Sequence, residues 1–124
     1  MKEGKEKNKE KGDDGEIMAA SYLERLGYSI KERKWKYERY EIDLIAEKAN
    51  AIVFVEVKLR YSNTYGEPWE AVNKAKRKKI CASADAYIQQ YDIHHEPRFD
   101  IISIIKSGRE CRIEHIEEAF WPMA

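Results

Sequence analysis

Tyr40-Glu41-Ile42-Asp43-Leu44-Ile45-Ala46, followed by Ala51-Ile52-Val53-Phe54-Val55-Glu56-Val57-Lys58, is the stretch whose reading decides the fold. Both segments are rich in β-branched and aliphatic residues, and the polar break Lys48-Ala49-Asn50 between them marks a β-hairpin. Asp43, Glu56 and Lys58 are charged residues inside these apolar strands. A half-buried charge is costly unless it is paired or binds an ion. Strand side chains alternate faces, so Glu56 and Lys58 share a face with Ile52 and Phe54. With Ala49-Asn50 as the turn, Lys48 pairs with Ala51 and Asp43 falls opposite Glu56. A slip by a single residue would send the acids to opposite faces. Converging carboxylates repel each other when ionised. A divalent cation removes that repulsion, and carboxylate, carbonyl and water form the ligand set of Mg²⁺ or Mn²⁺. Lys58 then either holds a phosphate or the attacking water, or simply pairs with Glu56 or Asp43 on a solvated face.

Length and composition bound the rest. A chain of 124 residues, 43% hydrophobic and 37% charged, suits one domain with one core and a well-charged surface. No apolar run is long enough to span a bilayer, and the charged N-terminus lacks the apolar stretch of a secretory signal, so no membrane partner and a cytoplasmic location are expected. Cys81 and Cys111 form neither a disulfide framework nor a zinc pattern, and both read as core thiols. The 23 basic and 23 acidic residues balance, which counts against a general nucleic-acid coat protein and leaves room for a local basic patch.

Residues 1–12 are mostly lysine and glutamate with nothing to bury, and read as a disordered charged tail before a single domain at 13–124. Asp13-Asp14-Gly15-Glu16 opens a helix whose stripe is Ala19, Tyr22, Leu23 and Leu26 and whose stop is Gly27. Glu16 lies one turn before the packed alanines; taken alone it is a first-turn acid facing the helix dipole. An irregular edge strand follows from Tyr28, then the hairpin, then a loop from Arg60 to Pro68 flanked by Tyr61, Tyr65 and Trp69. A helix is expected from about Trp69 to Tyr91, with Ile80, Ser83, Ala84, Tyr87, Ile88 and Tyr91 on its stripe. Lys74, Lys76, Arg77, Lys78 and Lys79 crowd its first half, either as a solvated face or as a partner for phosphate. Lys76 differs from the others because it falls on the apolar stripe. His94-His95 is a weak metal signal on a loop. Phe99 to Ile105 reads as a strand covered on both faces, able to pair in parallel with an earlier strand through a right-handed crossover. Cys111 to Ile116 reads as an edge strand, with Ala119-Phe120-Trp121 capping the core.

Taken together, Gly15-Glu16 with Ala19, Glu41-Ile42-Asp43-Leu44, Val55-Glu56-Val57-Lys58 with Arg60, Gly66-Glu67-Pro68, Lys76, Arg98-Phe99-Asp100 and Ala119-Phe120 resemble the YraN-like family of small bacterial proteins. That family is similar to the Holliday-junction resolvases within the PD-(D/E)xK superfamily, and the resemblance covers about Asp13 to Phe120. It implies an α/β fold: a restriction-endonuclease-like α-β-β-β-α-β core with a mixed central sheet flanked by helices. It also implies Asp43 and Glu56 as metal-binding acids with the Val57 carbonyl as a further ligand, Lys58 as catalytic lysine, and Glu16 completing the site. Lys76 matches a helix lysine facing the same cleft. The family usually carries glycine where this chain has Tyr40. The function expected is Mg²⁺- or Mn²⁺-dependent hydrolysis of DNA phosphodiester bonds at branched or flapped structures, with Lys76, Arg60, Lys74, Arg77 and Lys79 on the DNA. A homodimer is needed for a symmetric cut of both strands. The alternative is a non-catalytic nucleic-acid-binding or adaptor domain on the same fold.

Overall fold

The computed structural model describes residues 2–61, 70 and 72–122, those before 14 by backbone alone. The elements are α1 (Lys2–Arg25), β1 (Ser29–Tyr37), β2 (Tyr40–Lys48), β3 (Ala51–Tyr61), α2 (Lys74–Gln90), β4 (Glu96–Ser107) and β5 (Glu110–Phe120). The strands form one sheet in the order β1-β2-β3-β4-β5. All neighbours are antiparallel except β3 and β4, which α2 joins in parallel. A parallel pair needs such a crossover, and a helix supplies it. This is the mixed α/β architecture of a restriction-endonuclease-like core.

The hairpin register is the expected one. Lys48 pairs with Ala51, and the pairing runs without slip to Leu44 and Val55. Apolar residues then sort by parity. Ile52 and Phe54 join the core under α2 with Ile80, Ala84, Tyr87, Phe99 and Ile101. Val53 and Val55 join the core under α1 with Ala19, Ala20, Leu23, Ile102 and Ile104. The central strands are therefore buried on both faces, and each helix seals one of them.

Helix α1 stops at Gly27, whose φ is +93°. The Gly27 N–H donates to the Glu24 carbonyl and the Tyr28 N–H to the Leu23 carbonyl, both at 3.0 Å, closing the last turn in a Schellman arrangement. The helix starts at Lys2, so the Lys/Glu-rich run expected as a disordered tail continues its backbone without adding anything apolar. Helix α2 begins at Lys74 rather than near Trp69, because the Asn73 side chain accepts the Lys76 N–H at 2.9 Å and caps it there. Trp69 and the loop residues 62–68 lie outside the described residues.

Some expected core positions are not core. Leu26 is 43% and Tyr91 47% exposed; each stands just past the last residue of its helix. Cys111 is exposed near the β4–β5 turn, while Cys81 is half-buried against the α2-side core. Strand β5 also runs further than expected and takes in Ala119 and Phe120; the Phe120 ring stacks on Phe99 at 5.2 Å. Among the described residues no helix is long and apolar enough to cross a membrane.

Candidate metal centre

The site lies where the two central strands part. The β2–β3 pairing ends at Leu44 and Val55, yet β2 continues beside β1 to Tyr40 and β3 continues beside β4 to Tyr61. A fork opens between them, and Asp43 is the first residue beyond the last rung. Its Oδ2 accepts the Val57 N–H at 2.8 Å, so a side chain takes up an amide that the ladder has left.

Strand parity breaks at this point. Ile42 and Ile45, three residues apart, both belong to the α2-side core, while Leu44 lies on the α1 side. The partner strand shows the matching irregularity. Lys34 stands between the pairs Arg33/Leu44 and Trp35/Ile42, across from Asp43, with φ at +50°. A left-handed lysine in mid-strand is backbone strain held by its surroundings, and such strain gathers at functional sites. Its effect is to bring Asp43 over towards α1.

There Asp43 meets two more acids. One carboxylate oxygen from each of Glu16, Glu41 and Asp43 lies within 4.8 Å of the others. Glu41 follows from parity, since Tyr40 and Ile42 face α2 and the residue between them must face α1. Glu16 is 9% exposed and lies past the middle of α1, and Lys34 Nζ stands 3.9 Å from it. Oxygens bound to a single Mg²⁺ or Mn²⁺ at about 2.1 Å lie up to about 4.2 Å apart, so modest side-chain rotation would gather these three around one ion. Three carboxylates are also the hard donor set that such ions prefer.

Glu56 lies on the other side of the fork. Lys76 Nζ stands 2.5 Å from its Oε1, and the Tyr40 O–H donates to its Oε2 at 3.2 Å. Tyr40 thus holds the Glu56 carboxylate from β2. Asp43 is influenced from both sides. Burial and the Glu56 charge push its carboxyl up to about 8; the Val57 N–H opposes, Glu16 adds to the rise, and Lys76 opposes. Burial and the same Glu56 also raise the Tyr40 hydroxyl.

The remaining named residues are placed as follows. Lys58 is exposed, two residues beyond Glu56 and on the same α2 side. Arg60 turns across the sheet, its Nε donating to Ser103 Oγ at 3.1 Å and its Nη2 lying 3.9 Å from Glu114. Arg77 donates to the Val72 carbonyl at 3.3 Å and lies over the Phe120 ring. Lys74 and Lys79 are exposed on α2. Val57 takes part through its amide, as described. Glu41, Tyr40 and Lys34 were not among the expected site residues. Glu41 could have been found two residues before Asp43; the left-handed Lys34 carries no signal, because glycine would be the usual residue there.

The model of the uncharacterised protein family UPF0102 matches residues 15–104. A UPF0102 protein of Phocaeicola vulgatus is 42% identical over 111 residues, covering 90% of this chain and 92% of that one. One of Bacteroides thetaiotaomicron is 43% identical over 113 residues, covering 91% and 93%. One of Chlorobium chlorochromatii is 42% identical over 118 residues, covering 90% and 92%. The matched span contains the whole fork, from Glu16 to Lys76, and the chain belongs to the UPF0102 family, the YraN family.

Proposed function

We propose that the protein is a metal-dependent endonuclease that hydrolyses DNA phosphodiester bonds, with branched and flapped structures as its substrates. The observation that carries this reading is the gathering of Glu16, Glu41 and Asp43 within 4.8 Å at a strand fork, with Glu56 acting on Asp43 from the other side. Gathering so much like charge at half-buried positions is unfavourable unless a cation completes it.

Mg²⁺ or Mn²⁺ would be held by Asp43 with Glu16 and Glu41, within reach of Glu56 and the Val57 backbone. When bound it supplies positive charge to the phosphate and lowers the pKa of a water. The chain's own residues do the rest. Val57 fixes the rotamer of Asp43 through its amide. Lys76 and Tyr40 hold Glu56 in place and offset its charge. Lys58, exposed on the side of Glu56, is free to reach a phosphate oxygen or orient the attacking water. A single centre cuts one strand, so paired cuts at a junction take two copies of the chain.

The test is a panel of labelled single strands, duplexes, flaps and four-way junctions with purified protein in Mn²⁺ or Mg²⁺. Cutting is expected on at least one branched form, and Asp43→Asn, Lys58→Ala and EDTA should each abolish it. Absence of cutting on every form would end the enzyme reading. DNA binding that survives EDTA would then favour the adaptor alternative.

A further inference from the structure

Between the β1–β2 turn and α2 lies a cavity of about 680 Å³ lined by Tyr37, Glu38, Arg39, Tyr40 and Lys79, among others. This is within the usual size of a small-molecule pocket and ample for one nucleotide. Its walls have a distinct chemistry. Tyr37 is 36% exposed, and its ring lies parallel to that of Trp35, with centroids 6.4 Å apart and planes 3° off. Trp35 in turn packs edge-on against Tyr87 in the core, at 5.1 Å. Tyr37 is therefore a flat platform backed by the body of the protein. Arg39 and Lys79 supply two cations against the single acid Glu38, so the lining favours an anion. Tyr40 forms part of the wall and donates its hydroxyl to Glu56. The cavity is thus one side chain away from the fork.

A flat platform, a net positive lining and a wall shared with a phosphodiester-cutting centre specify the occupant. We propose that this cavity holds one unpaired nucleotide of a DNA strand, its base on the Tyr37 ring and its phosphate between Arg39 and Lys79. The proposal rests on the nuclease reading for the strand's path, and it deepens that reading by naming the substrate feature. A base inside a duplex cannot present its face to the ring, whereas bases at a flap, gap or junction can. Recognition of branched DNA would then arise from the unpaired nucleotide next to the cut, with no sequence readout.

The experiment uses the full chain in EDTA, so that nothing is cut. Binding of a labelled single-stranded oligonucleotide and of the matching blunt duplex is followed by anisotropy. Tyr37→Ala should weaken single-strand binding about tenfold or more, in line with base–aromatic stacking, and leave duplex binding unchanged. Tyr37→Phe, which keeps the ring, should bind like the wild type. Arg39→Glu, at an exposed turn where folding is not at stake, should weaken single-strand binding and flatten its salt dependence. Wild-type affinity in Tyr37→Ala, or equal losses on single strand and duplex, overturns the proposal. Cleavage in Mn²⁺ is scored separately. Tyr37-dependent binding by a protein that cuts nothing upholds the cavity and removes the nuclease reading; cutting with Tyr37-independent binding does the reverse.

Discussion

Asp43 carries a carboxyl that burial, and then Glu56, push up to about 8. The folded chain therefore holds a proton there that the unfolded chain has already lost above the ordinary carboxylate range. Stability from this group is complete below about pH 4 and is lost as pH rises through about 8. In EDTA, the melting temperature of the wild type should fall between about pH 5 and about pH 9 relative to Asp43→Asn, which cannot titrate. A difference between the two proteins that stays flat across that range would show that Asp43 is already ionised. The Lys76–Glu56 pair makes a second prediction. Lys76→Met would leave Glu56 facing Asp43 with no counter-charge. With the lysine side chain 33% exposed, solvent screens part of the loss, which should be about 1–3 kcal/mol in urea unfolding. Glu56→Gln in the same chain should recover most of it. An unchanged unfolding midpoint in Lys76→Met would mean that the pair contributes nothing.

At the scale of elements, each helix places a site residue, and the way it starts or packs is testable. Asn73→Ala removes the cap that sets the first turn of α2, and should cost about 1 kcal/mol. Gly15→Ala should act in the opposite direction. A Cβ there would meet Leu59 and Val57 at 3.8 Å and Ile104 at 3.9 Å, ordinary contact distances, so the helix gains propensity without a clash, about 0.5–1 kcal/mol in urea unfolding. A destabilised Gly15→Ala would mean that α1 sits closer to the sheet than these distances allow. The hairpin and a parallel partner for the strand after α2 were legible from the apolar runs, the short polar break and the intervening helix. That this partner is β3, and that no slip occurs in the hairpin, only the structure fixes. Lys76 was legible as a charge on an apolar stripe. The fork itself was not. Parity from the turn takes Asp43 to the α2 side, and only the paired irregularity at Lys34 brings it to Glu16 and Glu41. That irregularity is held by tertiary packing, and local sequence has no way to express it.

At the scale of the whole molecule, polar contacts among the described residues join α1 to the sheet both at the fork, through Glu16, and at a buried network under its C-terminal half. Asp100, fully buried, accepts two bonds from Arg98 at 2.9 and 2.8 Å and one from the Glu118 N–H at 3.1 Å. His115 Nε2 donates to the same carboxylate at 2.7 Å, which leaves Nδ1 to accept the Tyr22 O–H at 3.1 Å. Burial alone would raise the Asp100 carboxyl, but the bonds from His115 and Arg98 outweigh it and hold the carboxyl below its usual range. The sign is opposite to that of Asp43: the stabilisation is present above the usual carboxylate pKa and is lost as pH falls below about 4. Without metal, the two acids should therefore give a stability profile with an acid limb and an alkaline limb. Mn²⁺ held at the fork as proposed would compete with the proton there, while Asp100 is fully buried, so the ion should lift the alkaline limb alone. Asp100→Asn should lower stability by about 2–4 kcal/mol near neutral pH and flatten the acid limb, leaving the response to Mn²⁺ in place. Thermal melts across pH, with and without Mn²⁺, read both effects. A metal response that moves the two limbs together would place the cation away from Asp43, and an acid limb untouched in Asp100→Asn would place the proton uptake outside the network.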